Sequence, residues 1–379
     1  MSGGMELYLH IPFCVRKCAY CDFLSFPAGK EQQRQYAVRL MEDIDAMGKK
    51  YGEIPVETIF IGGGTPSALD SGLIVTIMEH VKHAFRITDD AEISMEANPG
   101  TVTREKLSDY RRAGINRLSF GLQSADNREL KLLGRIHTWE EFLESFALAR
   151  GCGFTNLNID LMSALPGQTC ASWKDTLKRV TDLDPEHISA YSLIIEAGTP
   201  FGEQYGSEEG QKLLPDEDSE REMYHETKRF LKSCGYERYE ISNYAKPGRR
   251  CRHNIGYWTG VPYLGLGLGA SSYMDGCRFT VTSDMKQYLH EMPGRFTDIE
   301  KLTKKDMEEE FFYVGLRMTD GVSLTEFKNR FGVSAGEVYP GRMEEFVKEK
   351  AAVFRDDRFV LTDYGLDVSN YIMAQFLQD

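Results

Sequence analysis

Tyr8-Leu9-His10-Ile11-Pro12-Phe13-Cys14-Val15-Arg16-Lys17-Cys18-Ala19-Tyr20-Cys21-Asp22 places three cysteines in one short loop directly after an apolar strand. The number of thiols is the informative point. A structural zinc site closes its tetrahedron with four Cys or His ligands, and no further ligand pair follows here at a suitable spacing. Three thiolates suit an iron-sulfur cluster in which one iron keeps a position for another ligand. Cys14, Cys18 and Cys21 are therefore the candidate metal ligands, with a redox thiol loop or a partial zinc site as the alternatives. The other cysteines, Cys152, Cys170, Cys234, Cys251 and Cys277, are scattered and read as ordinary buried or half-buried thiols.

Working outward, strand-like runs at 5–11, 56–62, 92–97, 117–123, 155–162 and 187–195 alternate with amphipathic runs at 31–50, 70–85, 103–113, 138–151 and 170–183. Asp70, Thr103 and Thr138 are predicted helix caps. This alternation predicts parallel strands with helical crossovers, enough for most of a barrel. The polar residues suited to chemistry fall at or just past the strand ends. The cysteine loop follows the first strand, Gly62-Gly63-Gly64-Thr65-Pro66 the second, Glu96 ends the third, Gln123 closes the fourth and Asp160 lies late in the fifth. In a parallel barrel these positions converge on one face. The glycines let backbone groups approach a ligand, and no Gly-Lys-Ser/Thr follows to make a phosphate loop. A carboxylate such as Glu96 in an apolar strand needs a cation or donors, from a ligand amine or ribose or from a barrel arginine. Arg135 offers a planar fork for a carboxylate.

Beyond about residue 200 the pattern changes. Segment 203–219 is acidic and turn-rich, 216–234 reads as a helix and 236–245 as a strand, and Tyr263–Ala270 alternates large residues with glycine like a strand pressed on another backbone. Helical runs near 303–318, 323–331 and 340–350, a hairpin at 352–361 and a last helix read as a small, mostly helical, winged-helix-like domain. The expected division is a barrel over 1–200, a barrel extension over 201–298 and the small domain over 299–379. Residues 300–379 carry 11 Lys/Arg against 16 Asp/Glu, which opposes phosphate binding and favours a packing or lid role.

The net charge of −13 points the same way for the whole chain, towards a small-molecule partner and away from nucleic acid. A chain of 379 residues, 41% hydrophobic and 27% charged, reads as an ordinary globular protein of two domains. No run has the length of a membrane span or the pattern of a signal peptide, so a cytoplasmic location is expected, where thiols stay reduced.

The CxxxCxxC spacing with Tyr20 before the third cysteine resembles the radical S-adenosylmethionine (radical SAM) superfamily. Tyr8 to Cys14, Gly62 to Pro66, Glu96-Ala97-Asn98-Pro99, Ser119-Phe120-Gly121-Leu122-Gln123 and Leu165-Pro166-Gly167-Gln168 resemble its oxygen-independent coproporphyrinogen III oxidase-like family. The resemblance implies an α/β fold, a partial (β/α)6 barrel with extra C-terminal strands. It also implies one 4Fe-4S cluster on the three cysteines and S-adenosylmethionine on Tyr8, Gly63 and Glu96. Tyr20, Gly64, Thr65, Gln123, Arg135 and Asp160 would line space for a second S-adenosylmethionine.

Two departures separate the chain from the oxidase proper. Phe23 stands where the oxidase has a further cysteine, and seven residues before Tyr8 are too few for its N-terminal lid. His253-Asn254-Ile255-Gly256-Tyr257-Trp258 instead resembles the HNxxYW motif of the HemW-type haem chaperones. That branch implies haem as ligand and a haem-accepting protein as partner, with His253 as an iron ligand and Tyr257 and Trp258 as a porphyrin surface. The alternative is that Asn254, Tyr257 and Trp258 pin a turn while His253 is a hydrogen-bonded core residue. Arg249, Arg250 and Arg252 beside the motif would pair with haem propionates. Porphyrinogen oxidation, and methylation or cyclopropanation through a second S-adenosylmethionine, are the alternative activities.

Overall fold

The computed structural model describes residues 3–378. Six strands run parallel and pair in sequence order: β1 (Met5–Ile11), β2 (Val56–Gly63), β3 (Ile87–Ala97), β4 (Arg117–Gln123), β5 (Leu157–Ser163) and β6 (His187–Ser192). The crossovers are α1 (Lys30–Tyr51), α2 (Ser71–Ala84), α3 (Arg104–Ala113), the short α4 (Asn127–Leu132) with α5 (Trp139–Gly151), and α6 (Cys170–Thr181). Asp70, Thr103 and Thr138 each accept a backbone N–H of the helix that follows, as predicted. Such caps stabilise a helix by about 1 kcal/mol each.

β1 shows how the barrel sorts its residues. Met5, Leu7, Leu9 and Ile11 are fully buried in the apolar core, and Glu6, Tyr8 and His10 alternate with them on the other face. On β2 to β5 the same face bears Thr58, Ser94, Glu96, Ser119, Asn158 and Asp160, so the barrel carries hydrogen-bonding groups inside.

Downstream come α7 (Pro200–Tyr205), α8 (Glu208–Gln211) and α9 (Glu217–Ser233), then β7 (Glu237–Arg238) and β8 (Asn243–Ala245). The single strand expected at 236–245 is thus two short antiparallel strands, β8 pairing with both β7 and β6. After α10 (Arg252–Thr259), β9 (Tyr263–Leu266) lies parallel to β1. It stops short of Ala270 because Gly267 and Gly269 take left-handed φ of 98° and 68°, turning the chain into β10 (Ser271–Met274). The close approach expected of this run does occur at Gly265, where any Cβ would overlap the Ser271 carbonyl. β11 (Cys277–Thr280) and, after α11 (Met285–His290), β12 (Thr297–Lys301) complete one twelve-stranded sheet.

A second core, including Phe312, Phe327, Phe359 and Phe376, belongs to the C-terminal region. It is built on α12 (Lys304–Gly315), α13 (Leu324–Phe331) and a three-stranded sheet in which β13 (Val322–Ser323) and β14 (Ala352–Arg355) flank β15 (Arg358–Leu361). Among the described residues no helix is long and apolar enough to cross a membrane.

The HNxxYW run forms a helix, α10, rather than a pinned turn. Its cap comes from far away in sequence: the Glu92 carboxylate of β3 accepts the backbone N–H groups of Arg252 at 3.0 Å and His253 at 3.3 Å. An anion at a helix N-terminus satisfies orphan donors and opposes the dipole.

Candidate functional site

The cysteine loop and the strand ends meet through a hydrogen-bonded arc. Arg135 donates to the Cys18 thiol at 3.5 Å, to the Asn98 side-chain oxygen at 2.7 Å and to the Gly121 carbonyl. Asn98 in turn donates to the Thr65 hydroxyl at 2.8 Å, which lies 3.4 Å from the Cys14 sulfur. Two of the three thiols are thereby tied to the ends of β2, β3 and β4. Asn98 carries no role in the sequence reading, although it sits in the quoted Glu96–Pro99 run. Its signal was the proline that follows, which fixes it in extended geometry.

The glycine turn is equally specific. A Cβ at Gly64 would meet the Phe13 carbonyl at 2.8 Å and the Cys14 sulfur at 3.0 Å, and Gly63 takes φ of 116° against the His10 ring. The Gly63 N–H donates to Glu96 at 3.0 Å. Burial pushes the Glu96 carboxyl up to about 8, with the Asp160 charge adding and the Gly63 hydrogen bond opposing. A ligand ammonium would restore its ionised form. Gln123, at φ of 74°, accepts from the Tyr191 hydroxyl at 2.9 Å, and Asp160 accepts from Asn158 at 2.7 Å and Ser119 at 3.2 Å. Tyr20 is half-buried beside Arg135, and desolvation raises its phenol.

These side chains fit the cofactors that the sequence implies. The donor set is three thiols with a guanidinium close by, and a cube binds each cysteine at a different iron. It does not need them gathered round one point, and among the described residues no three Cys, His, Asp or Glu side chains are gathered as for a single ion. Cys14, Cys18 and Cys21 would hold the cluster, and Glu96 with the Gly63–Gly64 backbone would face an amino acid moiety.

A second space opens from the same wall. A cavity of about 500 Å3 runs from Tyr8 and His10 to the C-terminal core, lined by Tyr257, Trp258, Tyr263, Phe311 and Met318 among others. Its volume lies in the range of about 300–1,000 Å3 typical of ligand pockets. Three guanidiniums reach it, Arg278, Arg330 and Arg358. Arg278 is paired with Glu310 at 2.8 Å. Arg330 and Arg358 make no close ion pair among the described residues, although Arg358 acts on the Asp357 charge: they donate to the Tyr273 hydroxyl and to the Asp320 and Gly321 carbonyls.

The motif residues divide between cavity and core. Tyr257 and Trp258 line the cavity, whereas His253 is 1% exposed and does not. Its Nδ1 lies 2.7 Å from the Thr58 hydroxyl, its Nε2 3.1 Å from the Tyr257 hydroxyl, and its ring stacks on Phe60 at 5.2 Å. Both nitrogens are thus engaged, and as placed His253 has no lone pair free for iron. This is the hydrogen-bonded core arrangement left open by the sequence. Burial, aided by Arg117, pushes the imidazole down to about 3, so it is neutral.

The adjacent arginines do not supply the propionate clamp expected of them either. Arg250 pairs with Asp320 and Arg252 with Asp90, and neither lines the cavity. The cationic groups that do were hidden from sequence because they lie on β11, α13 and β15, far from the motif.

Gly256 shows how tightly α10 seats on the barrel. A Cβ there would overlap the carboxylate of Glu6, itself buried in the barrel floor. Gly256→Ala is expected to destabilise the fold by about 1–3 kcal/mol, the usual cost of overpacking. Thermal or denaturant melts check this, and Glu6→Ala in the same chain should recover most of the loss; a fully stable Gly256→Ala protein would contradict the seating.

Comparison with known proteins agrees with this architecture. Residues 8–180 match the Radical SAM superfamily and residues 302–368 the HemN C-terminal domain. Heme chaperone HemW of Escherichia coli is 36% identical, with 99% of this chain and 98% of that protein covered. Heme chaperone HemW of Bacillus subtilis is 34% identical, with 98% of each covered. The fold is that of the coproporphyrinogen III oxidase HemN of Escherichia coli, with a TM-score of 0.86 over 99% of this chain and 90% of that one, at 24% identity.

Proposed function

Since the chain belongs to the HemW family of radical SAM proteins, we propose that it is a haem chaperone, binding haem for transfer to an accepting protein in the cytoplasm. One observation carries the reading: the cavity between the barrel and the C-terminal core is walled by the Tyr257 and Trp258 rings of the motif. Flat aromatic faces suit a macrocycle, and the guanidiniums of Arg330 and Arg358 suit its propionates.

The cluster on Cys14, Cys18 and Cys21 and S-adenosylmethionine on Tyr8, Gly63 and Glu96 belong to the same reading. Bound together, they supply one-electron chemistry at the sulfonium. The protein's own part is positional. Glu96 receives the methionyl ammonium, Gly64 leaves room beside Cys14, and Arg135 offsets the thiolate charge. Tyr20, Thr65, Gln123 and Asp160 line the space next to it, the place proposed for a second S-adenosylmethionine. Tyr8 lines both this site and the large cavity, so haem and S-adenosylmethionine would share a wall. That contact is a physical route by which one ligand reports on the other.

Oxidation of coproporphyrinogen III has less support. Phe23, where the oxidase carries its extra cysteine, is 66% exposed at the edge of the cysteine loop. Anaerobically reconstituted protein is expected to take up about one haem per chain, in the cavity walled by Tyr257 and Trp258, and to leave coproporphyrinogen III unchanged with reductant and S-adenosylmethionine. A haem titration beside an activity assay tests both. Steady conversion, or absence of haem uptake, would overturn the proposal.

A further inference from the structure

We propose that the phenol oxygen of Tyr257 is the protein's axial ligand to haem iron and that His253 is the positioning residue behind it. The inference rests on the haem-chaperone reading above and assigns what that reading leaves open, the atom that meets the metal.

Three observations lead to it. His253 and Tyr257 stand four residues apart on α10, so their side chains lie on one helix face. Of the two, only Tyr257 borders the cavity, and its hydroxyl is held 3.1 Å from Nε2 of His253. Behind the imidazole, Nδ1 is fixed by Thr58 at 2.7 Å, and Glu6 lies 3.9 Å away. The phenol oxygen of this cavity-lining residue is therefore held by an imidazole that is itself fixed from the barrel floor.

Among the other donors on the cavity wall, His10, Tyr8 and Met318 are less suited. His10 has both nitrogens engaged, with the Leu24 carbonyl at 3.0 Å and the Tyr8 hydroxyl at 3.0 Å. The first contact requires the proton on Nε2, so Tyr8 donates to Nδ1 and spends its hydrogen there. Tyr263 and Tyr273 also line the cavity, with Arg330 at 3.4 Å from the Tyr273 hydroxyl, but among the described residues neither is hydrogen-bonded to a histidine. Met318 offers a thioether, a soft ligand that favours reduced iron. Ferric iron prefers an anionic oxygen, and tyrosinate is an established haem ligand class.

On ligation a lone pair of the phenol oxygen forms the Fe–O bond, the O–H bond breaks and its proton leaves to solvent through the open cavity, while His253 stays neutral, accepts from Thr58 at Nδ1 and donates its Nε2–H to the phenolate oxygen. No electron changes hands and the iron stays ferric. The motif then has a physical logic that a histidine ligand would not give it. Histidine sets the orientation of the tyrosine and donates to its oxygen, tyrosine meets the iron, and Trp258 covers the adjoining macrocycle face.

Resonance Raman of the ferric haem complex tests this directly. The wild-type spectrum is expected to show tyrosinate modes, and Tyr257→Phe to lose them together with at least about tenfold in haem affinity, as for removal of a metal-site residue. Metal-free protoporphyrin IX should bind both proteins alike, because phenylalanine keeps the ring surface and removes only the oxygen. His253→Gln, which retains hydrogen-bonding capacity and replaces a riskier alanine, should keep the tyrosinate modes but move their frequency. A histidine-ligated wild-type spectrum that His253→Gln abolishes, or a Tyr257→Phe spectrum identical to wild type, overturns the assignment while leaving haem binding in place. Wild-type protein that binds no haem at all overturns the underlying reading and this one with it.

Discussion

Serine at any one of Cys14, Cys18 or Cys21 is expected to reduce the iron held after anaerobic reconstitution from about four atoms per chain to well under one. The physical reason is acidity. A cysteine thiol loses its proton readily beside a cation or a metal, whereas a serine hydroxyl does not, and the loop offers no spare ligand to take its place. Two of the thiols have separate anchors, Cys14 at Thr65 and Cys18 at Arg135, so the three are not interchangeable.

The same substitutions should alter stability little, within about 0.5 kcal/mol, since all three side chains are only partly buried and none fills the core. Serine at Cys170 or Cys277, which lie elsewhere, supplies the control and should leave the iron count untouched. Iron and sulfide analysis with the visible absorbance of the cluster reads the result. A triad variant with full iron content would mean that the loop is not the cluster site.

How much of this was legible in the sequence divides by range. The parallel barrel was legible because its signals are local: alternating burial on β1, caps at Asp70, Thr103 and Thr138, and short crossovers. The helix α10 was not, because its cap is the Glu92 carboxylate, some 160 residues upstream. The same limit hid the partners of His253. Its imidazole looked free in a motif and is engaged by Thr58 from β2, a contact that only the folded barrel creates. Arg249, Arg250 and Arg252 look like an anion site when read in line, yet folding brings acids such as Asp320 and Asp90 to two of them. The guanidiniums that reach the cavity come from three separate elements and share no sequence signature. Sequence thus pointed to the strand ends that the fold brings to the cysteine loop, and hardly at all to the cavity.

Glu6→Gln is expected to stabilise the protein at pH 8 by roughly 2–4 kcal/mol while changing little at pH 4.5. Glu6 sits in the barrel floor against Gly256, and its Oε2 has no hydrogen-bond partner among the described residues. Burial pushes its carboxyl up to about 9, with the nearby Glu92 and Glu57 adding and Thr58 and Arg252 opposing. The folded chain therefore keeps a proton that the unfolded chain releases above about pH 4.5. Between those values unfolding sheds a proton, so stability falls as pH rises, by at most about 1.4 kcal/mol per unit. Glutamine has the shape of the protonated acid and no proton to lose, which removes the slope. His253 works from the other side: its lowered value means that acid favours the unfolded chain below about pH 6.5, and that limb should survive the substitution. Denaturant unfolding of both proteins from pH 5 to 8.5 measures the gap, and a gap independent of pH would show that Glu6 is ionised in the fold. A carboxyl kept at such cost has a use if it braces His253 from behind, and Glu6→Gln should then also shift the iron–tyrosinate modes of bound haem.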